Sequence, residues 1–340
     1  MKLRVPRETG ILVVLLLVGL VFTRLSPYFL TESNLFTLLL NTAVVALLAL
    51  GQTFVLLTAG IDLSVGSGIA LSGVTAALVL AANGSIWEAV LAGIVATAAI
   101  GLVNGLVIHY LKVPAFITTF GTMSVAASIP MIVTQAVPIA ITNQAFANLG
   151  GGFLGPVPVP VAILFVAALL AYFILARTVF GIHVYAVGGN RESARLAGVN
   201  TARVDIIVYL VSGILSGLSG IIDASRLMAG YPTAGSGTDL FFSIAAAVVG
   251  GVSLFGGIGT IPGVIIGALL IGTISDGLNI ANVSSYWQPL VIGLIILIGV
   301  TFDTLRQGRT GNVSILQRLA AMTRRTVPNS PSGPDEAQGA

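Results

Sequence analysis

The sequence predicts an all-α membrane protein with about ten transmembrane helices, at least one broken helix and one short helix on the cytoplasmic side. Three observations carry this. The chain of 340 residues is 56% hydrophobic and only 8% charged, whereas a soluble domain is roughly 25% charged. So few charges cannot cover a water-facing surface. The apolar blocks are continuous and long enough for helices of about 20 residues, unlike the alternating segments of about 10 residues in a β-barrel. Lipid offers backbone groups no partners, so the spans must be helical. The 41 glycines fit close helix packing and broken helices.

The blocks follow in order. Residues 10–29 form the first run, closed by Ser26-Pro27. No clear small-residue cleavage site follows M-K-L-R-V-P-R, so an uncleaved first helix is expected. The second run, 35–58, ends in T-A-G-I-D-L-S-V-G-S-G, where Gly60, Gly66 and Gly68 loosen the backbone. The third covers 64–82, up to Asn83-Gly84, the fourth 86–108 and the fifth 115–135. Residues 136–158 hold Pro138, Pro156, Pro158 and three consecutive glycines with no charge, and read as an irregular loop. The sixth run is 159–176 and a polar loop spans 177–203. The seventh is 204–225, a turn-rich loop covers 226–239, and the last three runs are 240–254, 260–278 and 286–303. Residues 1–305 thus form one transmembrane domain. Residues 306–340 form a cytoplasmic tail whose Pro- and Ser-rich end should be disordered.

Charge fixes the expected orientation. With the N-terminus inside, Lys2, Arg4, Arg7, Lys112, the four arginines of 177–203 and the basic tail all face the cytoplasm. Of 15 Lys and Arg, only Arg24 and Arg226 then lie outside, which satisfies the positive-inside rule with both termini cytoplasmic. The net charge of +3 reports topology and gives no indication of a nucleic-acid partner. The absence of Cys excludes thiol catalysis, disulfides and Cys-ligated metal. His109 and His183 are expected in different loops, so no metal or cofactor site is read, and no catalytic residue. A phosphate loop needs G-x-x-x-x-G-K-[ST]. Neither Lys2 nor Lys112 follows such a sequence, so the Gly-rich stretch 250–263 does not bind ATP by that route.

Two groups of residues carry functional expectations. Within 177–203, Asn190 is a good N-cap, Glu192 sits in the first turn and Gly198 is a C′ residue. Residues 191–197 therefore read as a short capped helix between two spans, with Ala194 and Ala197 on one face and Arg191 and Arg195 on an adjoining one. The docking surface is assigned to Asn190, Arg191, Glu192, Ser193, Ala194, Arg195, Leu196, Ala197 and Gly198. The alternative is that the arginines only enforce topology or touch anionic lipid. The second group is intramembrane: Gln52, Asp62, Ser64, Asn104, Thr118 and Thr119 are candidates for a translocation pathway or its gate. Asp62 also suits the N-cap of the third helix. Asn41, Thr53, Ser243, Asp276 and Asn279 are further polar residues within spans, each open to an interhelical hydrogen-bond reading. L-S-G-L-S-G at 215–220 reads as small residues for helix packing. G-I-D-L-S-V-G-S-G and G-G-I-G-T-I-P-G form a faint repeat.

Five segments together resemble the membrane permease subunits of bacterial ABC importers for sugars, the ribose-type family. They are G-I-D-L-S-V-G-S (60–67), V-N-G-L-V-I (103–108), K-V-P-A-F-I-T-T-F-G-T-M (112–123), Y-A-V-G-G-N-R-E-S-A-R-L-A-G-V (185–199) and A-V-V-G-G-V-S-L-F-G-G-I-G-T-I-P-G (247–263). Ala59 departs from the Gly that the family often has there, and Phe120 from the Leu. The resemblance implies a multi-pass protein of the bacterial inner membrane that breaks no bond itself. It implies two ATPase subunits, an extracytoplasmic sugar-binding protein and a second permease, taken as a second copy of this chain. It also implies that Asn190–Val199 is the coupling helix. A branched-chain amino-acid permease and a stand-alone secondary carrier or channel are the alternatives. A membrane enzyme lacks any supporting cluster of His, Cys or carboxylates.

Overall fold

The computed structural model describes residues 8–235, 237–284 and 286–308, with the side chains of 302, 303 and 305–308 outside the description. The helices are α1 (Glu8–Leu25), α2 (Glu32–Leu57), α3 (Val65–Ala81), α4 (Ile86–Tyr110), α5 (Ala115–Thr134), α6 (Gln144–Gly151) and α7 (Val159–Arg177). They continue as α8 (Val179–Gly189), α9 (Arg191–Leu196), α10 (Thr201–Leu227), α11 (Thr238–Val249), α12 (Ile261–Ile280) and α13 (Trp287–Gly308). Two antiparallel pairs of two-residue strands complete the described structure. These are β1 (Ile139–Ala140) with β4 (Ala229–Gly230), and β2 (Phe153–Leu154) with β3 (Val157–Pro158). Residues up to Gly299 form one compact unit, and from Val300 the described residues are the last turns of α13.

Each of the ten apolar runs contains one helix. Among the described residues, seven helices are long and apolar enough to cross a membrane, and α3, α8, α11 and the first part of α13 are shorter apolar helices. Three helices had no counterpart in the runs. α6 occupies part of 136–158, which is therefore not irregular throughout. α8 takes up the first half of 177–203, where Thr178 Oγ1 accepts the Gly181 amide and starts a new helix one residue after α7 ends. α9 is the short helix expected at 191–197. His109 lies in the last turn of α4 and His183 inside α8, not in loops. The basic residues 1–7 and most of 306–340 lie outside the described residues.

The core is built on α10, which packs against α4, α2 and α3. Its small residues permit this. A Cβ on Gly217 would stand 2.2 Å from Thr97 Oγ1 of α4, and one on Gly220 would stand 2.5 Å from the Ile69 carbonyl of α3. The intervening serines hold the neighbours, with Ser216 Oγ donating to the Val65 carbonyl at 2.6 Å and Ser219 Oγ to the Val44 carbonyl at 3.0 Å. The L-S-G-L-S-G stretch is thus a packing and hydrogen-bonding surface. Interhelical bonds of this kind average about 0.6 kcal/mol each in membranes.

Two ends of the bundle can be named by their contents. One carries α9. At the other, Tyr28, Trp87, Tyr286 and Trp287 are exposed, the aromatic signature of a membrane–water boundary.

α2 ends in a Schellman arrangement. The Gly60 amide donates to the Val55 carbonyl and the Ala59 amide to the Leu56 carbonyl. Ala59 sits at the C′ position with φ 61°, a left-handed conformation that costs a residue bearing Cβ roughly 1 kcal/mol. This is the position where the resembling family often has Gly. Ala59→Gly should therefore raise thermal stability by about 1 kcal/mol, read as an increase in melting temperature of the purified protein. A lower melting temperature would refute the strain.

Candidate functional site

α9 is built as expected and attached more firmly than expected. Asn190 Oδ1 accepts the Ser193 amide at 2.8 Å, capping the N-terminus. Gly198 takes φ 85° at the C-terminal side, and the Val199 amide closes back on the Ala194 carbonyl. The faces differ from the expected ones. Ala194 is buried against the body of the protein, whereas Ala197 is exposed and Leu196 is 77% exposed. Glu192 and Arg195 pair with each other at 2.6 Å on the surface. Arg195 holds the Glu192 carboxyl below its ordinary range, and the reciprocal hydrogen bond raises the Arg195 guanidinium.

Arg191 does not join that surface pair. It makes a two-pronged bond to Asp205 of α10, Nη1 to Oδ2 at 2.8 Å and Nη2 to Oδ1 at 2.7 Å. His109 Nδ1 lies 2.8 Å from the same Oδ2. The hydrogen bond to Asp205 raises the Arg191 guanidinium above its usual range, against the opposing effect of burial. Asp205 is only 2% exposed. A carboxylate so buried is stable only with partners that compensate its desolvation. Arg191 is therefore an anchor joining α9 to α10 and α4, and the outward face of α9 consists of Leu196, Ala197, Gly198, Ser193 and the Glu192–Arg195 pair.

A second attachment runs through α8. Tyr185 Oη donates to the Gly259 carbonyl at 2.9 Å. Gly188 approaches α2 so closely that a Cβ there would overlap the Leu57 carbonyl. That carbonyl accepts the Gly257 amide at 2.9 Å. The C-terminal end of α2 and the Gly-rich segment before α12 therefore touch each other beside α8.

The intramembrane candidates converge on residues 58–64, the break between α2 and α3. Gln52 Nε2 donates to the Asp62 carbonyl. Asp62 Oδ1 accepts from the Ser64 amide at 3.0 Å and Ser64 Oγ at 2.6 Å, and Oδ2 accepts from Ser212 Oγ at 2.8 Å. Asn104 Nδ2 donates to Ser64 Oγ at 3.0 Å, and Thr122 Oγ1 to Asn104 Oδ1 at 2.6 Å. Thr119 Oγ1 and Tyr209 Oη both donate to the Ile61 carbonyl at 3.3 Å. Thr118 is buried nearby in sequence, but its Oγ1 has no partner among the described residues, nor does Gln52 Oε1. Five of the six candidates thus form one network. Among the described residues no group of His, Cys, Asp and Glu is arranged to hold a metal ion.

Asp62 is not the N-cap of α3. The helix begins at Val65 with Ser64 at the cap position and no side-chain capping bond. Asp62 instead stabilises the turn before it and ties that turn to α10. Its carboxylate is fully buried and is met by three donors.

The residues missed in the sequence are Asp205, Tyr209 and Ser212 of α10, while Ser216 and Ser219 were read only as small residues for helix packing. Asp205, Tyr209, Ser212, Ser216 and Ser219 recur every three or four positions, which puts them on one helical face. Every one of them bonds to a neighbouring element. The face joins α9 at one end to the 58–64 break and the start of α3 at Val65, about 16 Å further along the helix. The spacing was available as a signal, a polar stripe within an apolar helix.

If Arg191 anchors α9 through Asp205, their effects are coupled. Arg191→Ala should lower stability by about 1–3 kcal/mol, limited by the half-exposure of the Arg191 side chain. Arg191→Ala and Asp205→Asn together should cost less than the sum of the two, with coupling on the order of 1 kcal/mol. Additive losses in chemical denaturation of the purified protein would contradict the anchor.

Comparison with known proteins places the chain. Residues 34–300 match the family described as Branched-chain amino acid transport system / permease component. The ribose import permease protein of Escherichia coli (strain K12) is 42% identical over 305 residues, 88% of this chain and 94% of that protein. The D-allose transport system permease protein of the same strain is 37% identical, covering 87% of this chain and 91% of its own. The L-arabinose ABC transporter permease protein of Azospirillum brasilense is 37% identical, covering 89% of both. No solved structure matches the chain. A match over this much of the sequence, with a multi-pass helical fold and α9 held between two spans, makes the chain a member of this family of membrane transport permease components.

Proposed function

We propose that the chain is the permease subunit of an ATP-driven ABC importer that carries an aldose sugar from an extracytoplasmic binding protein into the cytoplasm. The sugar class, rather than a branched-chain amino acid, is supported by relatives named for ribose, allose and arabinose. The α9 end is read as cytoplasmic, from the basic residues of 177–203 and the positive-inside rule. The working unit is read as two copies of this chain in the lipid bilayer with two ATPase subunits on α9. The permease carries out no bond chemistry.

The single observation that carries the coupling is the pairing of Arg191 with Asp205 at 2.7 Å and 2.8 Å. A six-residue helix that spans nothing is fastened to the central helix of the bundle. Displacement of α9 by an ATPase therefore moves α10. Tyr209 and Ser212 then move with it, and they hold the Ile61 carbonyl and the Asp62 carboxylate. The break at 58–64 is the element best suited to change shape, because the Ile61 and Asp62 carbonyls and the Ser64 amide bond to side chains rather than to a helix ladder. ATP-driven closure would in this way alternate the access of the membrane spans. A stand-alone secondary carrier has no use for such a lever.

The outward face of α9 should behave as a hot spot. In the assembled complex, Leu196→Asp should reduce the ATPase recovered with the affinity-purified permease roughly tenfold or more, equivalent to about 1.4 kcal/mol. Arg195→Ala should change it little, because Arg195 is satisfied within α9. Sugar uptake by vesicles lacking any ATPase, or full ATPase recovery with Leu196→Asp, would contradict this reading.

A further inference from the structure

α7 lies beside α10 without packing closely on it. It rests mainly on α2, α8 and α6, whereas α10 packs against α4, α2 and α3. The space left between α7 and α10 is a groove of about 510 Å³. Every fourth residue of α7 from Ala162 to Ile174 lines one wall, Ile214 and Leu218 of α10 line the other, and the buried Phe54 of α2 lies at the base. Ala167 and Ala171 leave room that longer side chains would fill, and Leu154 of β2 stands at the end away from α9. The lining side chains are all apolar, so a sugar would find no hydrogen-bond partner along the groove. Towards α9, an adjoining depression shares Leu170 with the groove and ends at Tyr172 and Arg177. Arg177 is exposed. Arg191 and Arg195 are taken up by Asp205 and Glu192, whereas Arg177 makes no ion pair or side-chain hydrogen bond among the described residues.

We infer that the groove holds one acyl chain of an anionic phospholipid, with the lipid phosphate on Arg177. The dimensions agree. From Ala162 to Ile174 the helix rises about 18 Å, close to the hydrocarbon depth of one leaflet, about 15 Å. Arg177 stands about 4–5 Å beyond Ile174, in the last turn of α7, where a headgroup would lie. The charge agrees as well. A guanidinium offers a planar pair of donors to phosphate, and basic pockets between helices at the cytoplasmic face suit anionic headgroups. A second copy of this chain fits less well. Its described carboxylates at this end, Glu8, Glu192 and Asp205, are each already engaged, so none is free to answer Arg177. The bound lipid would join α7 to α10, the helix that carries the anchor of α9. The inference uses the cytoplasmic reading of the α9 end and is independent of the solute carried.

The full chain, purified in mild detergent, is exposed to equal amounts of phosphatidylglycerol, which is anionic, and phosphatidylcholine, which has no net charge. Retained lipid is counted by native mass spectrometry. Wild type should retain phosphatidylglycerol about fivefold over phosphatidylcholine, the attraction of one basic residue to an anionic lipid surface. Arg177→Gln should bring that ratio near unity. Arg203→Gln removes another exposed arginine from the same end, one that lines neither the groove nor the depression, and should leave the ratio unchanged. Ala167→Trp should fill the groove and lower the retention of both lipids. Should that variant fail to fold, Ala167→Leu serves, with a smaller fall in the same direction. The same ratio in wild type and Arg177→Gln, or an equal fall with Arg203→Gln, would overturn the site, as would undiminished retention in a folded groove-filling variant. A disulfide formed in membranes between two copies carrying Val166→Cys would also overturn it, because a second copy would then cover the groove. The chain has no cysteine of its own, so such a cross-link is unambiguous.

Discussion

The structure depends on one constraint: the backbone between α2 and α3, residues 58–64, is non-helical yet buried at Thr58, Asp62, Leu63 and Ser64, so its buried polar groups must be answered by protein. Irregular backbone in a membrane bundle is tolerated where protein supplies such partners. The carbonyls of Leu57, Ile61, Asp62 and Val65 are met by Gly257, by Thr119 and Tyr209, by Gln52, and by Ser216. Those partners come from α2, α5, α10 and the loop before α12. The positions of these elements follow from the need to surround the break. The small residues of α10 follow too, because Gly217 and Gly220 admit α4 and α3 closely and Ser216 and Ser219 beside them bond to α3 and α2.

A break held by side chains differs from a continuous helix in how it responds to force. Its bonds can exchange one at a time, each worth on the order of a kcal/mol or less, whereas a helix ladder resists as a unit. Those side chains belong largely to α10, and α10 carries the Asp205 anchor for α9. The proposed coupling needs no further wire. On that proposal, motion of α9 carries with it the Tyr209 and Ser212 hydroxyls that bond the break. The Tyr185–Gly259 bond and the close approach of Gly188 to Leu57 supply a second, parallel connection on the α8 side.

The sequence revealed some parts of this arrangement and hid others, for physical reasons. The ten apolar runs were readable because lipid enforces long apolar stretches. α9 was readable because Asn190, Glu192 and Gly198 are local capping chemistry. α8 was hidden: V-F-G-I-H-V-Y-A-V-G-G is apolar but short, and lies beside Arg177 and among glycines that resemble a turn. Gln52, Asp62, Ser64, Asn104 and Thr119 stood out as polar residues in apolar surroundings. Their convergence depends on tertiary packing across residues far apart in the chain. Asp62 looked like a cap because Asp beside a helix start usually is one, and only the approach of Ser212 reveals its other role. Asp205 was overlooked because it lies near a polar loop, where a carboxylate draws no notice, and its burial comes from α4 and α9 closing over it.

The central claim is that α9 and α10 move as one body. The chain has no cysteine, so single labels can be introduced without background. Spin labels at Arg195→Cys on α9 and Leu227→Cys at the far end of α10 would report their separation in the assembled transporter. A second sample would carry labels at Arg195→Cys in both copies. On adding ATP, the α9–α10 distance should stay constant and narrowly distributed, while the distance between the two α9 helices shifts. A change in the α9–α10 distance of several ångströms, with the distance between copies unchanged, would contradict the account.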